Sequence, residues 1–499
     1  MRSLLGVLPL RAPRSAMKDA STAACPLRLW LRLLLGILPL PSVWALANPL
    51  FASPDEPAHM VRAQGAIRGD FQNPYRTDGL PVDAVRCLAH RPEATADCLD
   101  LTWGAGAVEQ RSTADTYPPL FHLVAGVPSL LVRGLAGAYV MRLWLALVCS
   151  AVLAWAAVLL WTRRPGRWSL AALCVAMTPM VVFAVATVNP SGLAAAFAAL
   201  VWSAGINVTR PEAGTLIGAS KITLLVALIL YPLLRRDALA WEVALLLILA
   251  STLTGPRFHA LRRDPLVIAG VALTAISMIW VWSSWSSAAT ASFVSNRAKH
   301  GGGSWSAGLG AVSGYMLQMI GMFGWADTPL PAAAFLGLLL TIAVVIVAGI
   351  AAGSRPEARA TAIALVALVA TPVLVGAIRY PYLQGRYLFP VFIGTVFMAG
   401  QALAGGGLSD RFSRQLFRGV IASLSVIQFL AFAQNLRRYA VGSSASWWFV
   451  GLAPWQPPMM SNMVALLLAA AAILTSVAVG RGILGAEPGA RSATRSGPA

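Results

Sequence analysis

Ser53-Pro54-Asp55-Glu56-Pro57-Ala58-His59 stands a few residues beyond an apolar run over 27–47. Carboxylates are scarce in this chain, and they gather here. Residues 48–117 hold ten of the nineteen Asp and Glu residues: Asp55, Glu56, Asp70, Asp78, Asp83, Glu93, Asp97, Asp100, Glu109 and Asp115. The other nine are scattered, mostly in short connections. A chain that collects its acids in one loop, where a helix leaves the bilayer, has a candidate reaction centre in that loop.

Working outward, 58% of the 499 residues are hydrophobic, 11% are charged and mean hydropathy is +0.70. Apolar runs of about 20 residues recur nearly from end to end, the length of a membrane helix. The fold class is therefore an all-α polytopic membrane protein with about 12 transmembrane spans. The net charge of +19 does not indicate nucleic acid, because the arginines are divided among short connections and fit the positive-inside rule. Five cysteines do not make a disulfide framework. Cys87 and Cys98 share the acidic loop and can pair if it faces an oxidising side; both states stay open.

The expected order begins with a basic cytoplasmic tail, 1–26, and a transmembrane domain, 27–480. That domain contains a first extracytoplasmic loop at 48–136 and a second at 286–329. A disordered cytoplasmic tail, 481–499, ends the chain. The first loop is expected to open with a helix over 55–69, because Pro57 suits a first helical turn. Spans are expected at 27–47, 137–161, 169–187, 191–208, 214–234, 238–253, 265–285, 330–352, 358–378, 387–403, 415–434 and 459–479. Both termini are placed inside. Residues 214–256 are the awkward region: Arg235 and Arg236 would lie outside, against the charge rule, and a pair of short or re-entrant helices is the alternative.

Several residues carry candidate chemistry. Asp55 and Glu56 can serve as general base if an acceptor hydroxyl comes within hydrogen-bond reach. Acids stabilising a helix N-terminus are the plainer use. His59 lies four residues after Asp55, on the same helix face, as a local partner or, more rarely, a ligand. Arg386, in Gln384-Gly385-Arg386-Tyr387, can grip a phosphate with its fork or anchor an aromatic belt with Arg379, Tyr380 and Tyr382. Lys221 interrupts an apolar run, which makes it a functional candidate by default. Tyr117-Pro118-Pro119 and Asn189-Pro190 read as turns that shape a cleft, and Asp327 as an outer acid within reach of a sugar. No P-loop, CxxC or HExxH is present, so ATP-driven transport and soluble zinc chemistry have no support.

Six pieces in order resemble the DUF2142 family of bacterial multispanning proteins, grouped with GT-C-type glycosyltransferases. They are Ser53 to His59, Tyr117-Pro118-Pro119-Leu120-Phe121, Val188-Asn189-Pro190-Ser191-Gly192, Ser220-Lys221, Phe323-Gly324-Trp325-Ala326-Asp327-Thr328-Pro329 and Gln384-Gly385-Arg386-Tyr387-Leu388-Phe389-Pro390. The resemblance implies a GT-C-like bundle with its first outer loop over the active site. It also implies a polyprenyl-phosphate-linked sugar as donor and a cell-envelope glycan or lipid as acceptor. On that pattern Asp55 is the base, with Glu56 second. Arg386 and Lys221 hold the donor phosphate. His59, Tyr117, Asp327, Gln384 and Tyr387 line the substrate. The Lys221 region departs most from the pattern. No cofactor is established by these residues; a divalent metal stays open.

The enzyme reading is a membrane glycosyltransferase in a bacterial inner membrane, surrounded by membrane lipids. Short cytoplasmic loops leave no room for a nucleotide-sugar domain, which suits a lipid donor used outside. A transporter or flippase of a lipid-linked or anionic solute is the rival, with Lys221 as its central charge and Asp55 dispensable. A non-catalytic envelope assembly factor is a third reading.

Overall fold

Prolines and chain breaks decide where these helices stop. The computed structural model describes residues 26–486 except 105, 236, 301–303, 379–382 and 452; for 285–300 and 378 it describes the backbone alone. In chain order the helices are α1 (Pro26–Ile37), α2 (Pro39–Ala47), α3 (Glu56–Ile67), α4 (Leu120–Gly126), α5 (Gly134–Arg163), α6 (Arg167–Ala176), α7 (Pro179–Val185), α8 (Pro190–Thr209) and α9 (Ile217–Leu230). They continue as α10 (Ala238–Ala250), α11 (Gly255–Leu261), α12 (Pro265–His300), α13 (Trp305–Gly321), α14 (Ala332–Ala352), α15 (Arg355–Ile378), α16 (Phe389–Gly405), α17 (Asp410–Val441) and α18 (Asn462–Gly485). Strand β1 (Tyr75–Thr77) pairs antiparallel with β2 (Val108–Gln110), and β3 (Met322–Phe323) with β4 (Thr328–Pro329).

The protein is a nearly all-helical polytopic membrane protein. Among the described residues nine helices are long and apolar enough to cross a membrane. A tenth span results if α6 and α7, bent by 69° at their break, count as one. Twelve were expected, and the difference lies in two helices that are short for a span. The thirteen residues of α10 extend only about 20 Å, against a hydrocarbon core of about 30 Å. Residues 214–234 and 238–253 therefore form the short pair α9 and α10. Two boundaries also move: α12 stays helical to His300, past 286, and α18 runs to Gly485, past 480. The segment Arg379, Tyr380 and Tyr382 lies outside the described residues, as do 1–25 and 487–499.

Two spans are buried almost along their length, Pro190–Thr209 and Gly385–Gly405. They pack closely because Gly394 faces the indole of Trp202; a Cβ there would meet the ring at 1.9 Å. The Trp202 indole N–H also donates to the Pro390 carbonyl at 2.7 Å. The N-terminal starts of α8 and α16 are thereby locked beside each other. At their other ends Arg163 and Arg164 share Glu212 at 2.7 and 2.5 Å, and Arg164 also reaches Glu357 at 2.7 Å.

The first loop is folded rather than open. Helix α3 carries Pro57 in its first turn, as the sequence indicated, but it is buried inside the loop. Cys87 and Cys98 are bonded. Most of the acids that gather here serve local structure. Asp70 accepts from the Arg76 N–H at 3.1 Å, Asp78 from the Gly134 N–H at 2.9 Å, and Asp115 from Asn73 at 2.8 Å. Glu93 accepts from the Ser444 N–H at 3.0 Å and its hydroxyl at 2.6 Å, and from the Ser443 hydroxyl, joining the loop to the end of α17.

These hydrogen bonds, the Ser443 hydroxyl foremost, lower the Glu93 pKa from 4.5 to about 2. A depressed carboxyl contributes stability that is complete above its unfolded pKa and lost as pH falls through the folded value. Protection of the 443–444 amides from hydrogen exchange should therefore fall between pH 4.5 and about 2. In Glu93→Gln that step should be missing.

Candidate functional site

The adjacent acids Asp55 and Glu56 point to opposite fates. Glu56 is fully buried and meets the equally buried Arg142 of α5 through two bonds, 2.8 and 2.6 Å. It also accepts the Val188 N–H at 3.0 Å. Arg142 spends its remaining donors on the carbonyls of Ala45, Asn48 and Pro49, at 3.2, 2.9 and 2.8 Å. Those carbonyls are freed where α2 ends, so the arginine caps the helix from the side. Asn189 donates to the Pro54 carbonyl at 3.1 Å, and its side-chain oxygen caps α8 at the Ser191 N–H, 2.9 Å. One ion pair and one amide thus bind the exit of α2, the start of α3 and the start of α8.

Asp55 is left facing outward. It is the N-cap of α3 yet makes no capping bond, and its φ of 64° lies in the left-handed region. Asp tolerates that region better than most residues, though at some strain. What it gains is an ion pair with Arg386 at 3.0 Å, with Asp55 46% exposed and Arg386 only 6%. The Arg386 Nε is buried and has no partner among the described residues.

A second cation stands beside it. Arg235, in the turn before α10, is buried and donates to Asp237 at 2.8 Å and the Ser191 hydroxyl at 2.5 Å. Its guanidinium lies 4.2 Å from the centre of the Tyr387 ring, and that of Arg386 lies 5.6 Å from the same ring. Ser191, Arg235, Asp237, Arg386 and Tyr387 line one small cavity. Both guanidinium groups are buried while their carboxylate partners lie at the rim. An incoming anion can replace either carboxylate without a new charge being buried.

Tyr117 and His59 stand within electrostatic reach of these charges. Burial pushes the Tyr117 phenol up, so it remains a hydrogen-bond donor, and it feels the charges of Arg235, Asp237 and Asp55. Its ring meets His59 edge-on at 5.2 Å. His59 Nδ1 and His122 Nε2 lie 3.1 Å apart. Burial first, then Arg386, Arg235 and Arg62, lowers the His59 pKa well below 6.5. Burial and Arg62 do the same for His122.

Of the expected site residues, Asp55, Arg386, Tyr387, Tyr117 and His59 come together. Glu56 does not share the exposure of Asp55; its oxygens are committed to Arg142 and the Val188 N–H. Lys221 is elsewhere. It pairs with Asp264, and its neighbour Ser220 binds Asn207 at 3.1 Å. Asn207 lies eighteen residues along α8 from Asn189, about 27 Å of helix. Lys221 therefore sits at the opposite end from the cavity and cannot hold a phosphate there. Asp327 is nearly buried against Arg438 at 3.2 Å and fixes the loop to α17. Gln384 contributes its carbonyl to the Tyr387 N–H at 2.9 Å and makes no side-chain cap bond. Among the described residues no three His, Cys, Asp or Glu side chains cluster as they would to hold a metal ion.

Sequence reasoning missed Arg235, Asp237 and Arg142. Arg235 was visible only as a breach of the positive-inside rule. Arg142 was visible as a charge inside an apolar span, the same signal that singled out Lys221.

Two measurements separate the roles of the acids and histidines. Glu56→Gln should lower thermal stability in detergent strongly, since removing one partner of a buried pair costs about 3–5 kcal/mol. Asp55→Asn, at a half-exposed site, should leave the melting temperature nearly unchanged. The second concerns pH. Histidines with folded pKa values below 6.5 stay neutral while the unfolded chain takes up protons, so their stability is present above 6.5 and lost as pH falls. Protection of α3 and α4 from hydrogen exchange should fall between pH 7 and 5, and less so in His59→Phe.

No curated protein matches the chain. Two crystal structures of ArnT from Cupriavidus metallidurans are similar to it. The one bound to undecaprenyl phosphate is 15% identical with a TM-score of 0.45, over 96% of this chain and 79% of that one. The apo one is 14% identical with a TM-score of 0.43, over 95% and 78%. The family model described as predicted membrane protein (DUF2142) matches residues 38–395, which include the exit of α2, the folded loop, both cations of the cavity and the start of α16. The chain belongs to the DUF2142 family of membrane proteins.

Proposed function

We propose that this protein is a GT-C-like membrane glycosyltransferase. It moves a sugar from a polyprenyl-phosphate donor to a hydroxyl of an extracytoplasmic cell-envelope glycan or lipid. The observation that carries this reading is the half-exposed Asp55 held 3.0 Å from buried Arg386, beside a second buried guanidinium. A carboxylate and a paired cation site are what transfer from a phosphate leaving group needs.

The donor phosphate occupies the cavity between Arg386 and Arg235. It competes with Asp55 for Arg386, and the displaced carboxylate is free to accept a proton. Asp55 takes that proton from the acceptor hydroxyl. The hydroxyl oxygen forms a bond to the anomeric carbon from the face opposite the phosphate, and the bond from that carbon to the phosphate oxygen breaks. The electron pair departs with the lipid phosphate, whose growing charge the two guanidinium groups stabilise. Tyr117, kept protonated by burial, is placed to donate to an oxygen of the head group. His59, kept neutral, adds no further positive charge beside the two arginines.

The site lies on the extracytoplasmic side of a bacterial inner membrane in this reading. Arg163, Arg164 and Arg167 lie at the other ends of the spans, as the positive-inside rule asks of a cytoplasmic face. The transporter reading loses its central charge, because Lys221 is paired with Asp264 at that far end.

Asp55→Asn, at matched membrane abundance, should reduce transfer by about 10²–10⁴-fold, the usual loss when a general base is removed. The sugar composition of the envelope in a deletion strain, complemented with each form, reads this out. Full restoration by Asp55→Asn contradicts the base assignment. Arg386→Lys keeps the charge but not the fork, so it should impair transfer and weaken donor binding; unchanged activity would make Arg386 an anchor only.

A further inference from the structure

Two polar side chains unused by the transfer just described stand at the same cavity, Tyr231 in its wall and Glu242 buried one helical turn behind the lining residue Ala238. Helix α10 has the sequence Ala-Leu-Ala-Trp-Glu-Val-Ala-Leu-Leu-Leu-Ile-Leu-Ala, with Glu242 as its one charge. Glu242 is fully buried, and neither carboxyl oxygen has a partner among the described residues. Tyr231, in the turn before Arg235, is likewise fully buried with an unpartnered hydroxyl. The turn that carries Tyr231 packs against α10, the helix that carries Glu242, and the Tyr231 phenol lies within electrostatic reach of Asp237, Arg235 and Glu242. Tyr231 and Trp241 line the cavity with Ser191, Arg235, Arg386 and Tyr387. Ala238 also lines it, and Glu242 follows one helical turn later on the same face of α10.

Nothing in the packing calls for this pair. Buried polar groups are nearly always satisfied, and the exceptions ask for a reason. The nearby cations do not supply one, since Arg235 is engaged with Asp237 and Arg386 with Asp55. An apolar residue at 242 would suit the apolar helix better. An ionisable group within apolar membrane sequence points to function.

We infer that Tyr231 and Glu242 form a sugar-recognition subsite for the lipid-phosphate donor, in which a sugar hydroxyl donates to the Glu242 carboxyl and accepts from the Tyr231 hydroxyl. This rests on the donor reading above and adds to it a pair that discriminates the sugar from the bare lipid phosphate. The arginines hold the phosphate, common to every such donor. The Tyr231–Glu242 pair reads what the phosphate carries.

The test uses the full-length protein in lipid nanodiscs. The probes are polyprenyl monophosphate and a panel of polyprenyl phosphates bearing a hexose, a pentose or an amino sugar. The wild type should bind both kinds, and at least one sugar-bearing lipid more tightly. Glu242→Leu and Tyr231→Phe should each erase that preference, a loss of roughly tenfold for one hydrogen bond, and leave monophosphate affinity unchanged. Glu242→Gln, which can still accept and donate, should retain most of it. The melting temperature of Glu242→Leu should equal or exceed that of the wild type, because an unpartnered group has been removed. Unaltered preference in both Glu242→Leu and Tyr231→Phe overturns the subsite, as does an equal loss for all lipids in either. A preference limited to the amino sugar overturns the hydroxyl assignment. If the wild-type protein binds none of the lipids, the donor reading fails and the subsite fails with it; Arg386→Ala, which should weaken every lipid alike, tells that case from the others.

Discussion

Everything at the end of the bundle that holds the candidate site depends on the ion pair between Arg142 and Glu56. Both side chains are fully buried, and a charge removed from water needs a partner and a full set of hydrogen bonds. Here the set is nearly complete. The guanidinium takes two carboxylate oxygens and three carbonyls, and the carboxylate takes one further amide from the start of the α8 region. Such a network has one geometry. It fixes where α2 ends, how α3 leaves it and where α8 begins, so it also fixes the direction in which the next residue, Asp55, faces. The left-handed backbone at Asp55 and its missing cap bond are local costs that this network overrides.

The other half of the site comes from far along the chain. Close contact of Trp202 with Gly394 locks α8 against α16 and brings Arg386 and Tyr387 to the level of Ser191. The short helix α10 then brings Arg235 to the other side of the Tyr387 ring. A helix too short to cross the bilayer is useful for this reason: its start can end in a polar cavity where a full span would have carried the chain on. Non-helical backbone at membrane depth is tolerated where it is buried in protein or lines a cavity.

Much of this was legible in the sequence, and the residues show why. The apolar runs gave the membrane class directly, because about 20 residues is a length set by the bilayer. Asp55, Tyr117, His59, Arg386 and Tyr387 were found because each lies in a short polar motif at a span's end, and they do meet. Helix count was harder: a 69° break and two short helices have the composition of spans, and composition does not record direction. Glu56 and Asp55 could not be told apart, since two adjacent acids differ only in what the fold places opposite them. Lys221 was singled out and Arg235 was noticed only against the charge rule for a similar reason. Both are cations in or beside the α9–α10 region, and which end of α8 each meets is a tertiary fact. The density of acids in the first loop overstated its chemistry, because turn-forming acids such as Asp70 and Asp78 serve the loop's own backbone.

Arg386 is the point where structure and chemistry meet, since it cannot hold Asp55 and a phosphate with the same nitrogen. The most direct measurement is a cryo-electron microscopy structure of the full-length protein in nanodiscs with polyprenyl monophosphate bound. The account predicts phosphate oxygens within hydrogen-bond distance of both Arg386 and Arg235, with the Asp55 carboxylate released from Arg386 and open to the outer cleft. A bound lipid phosphate elsewhere in the bundle, with the Asp55–Arg386 pair intact, would contradict it.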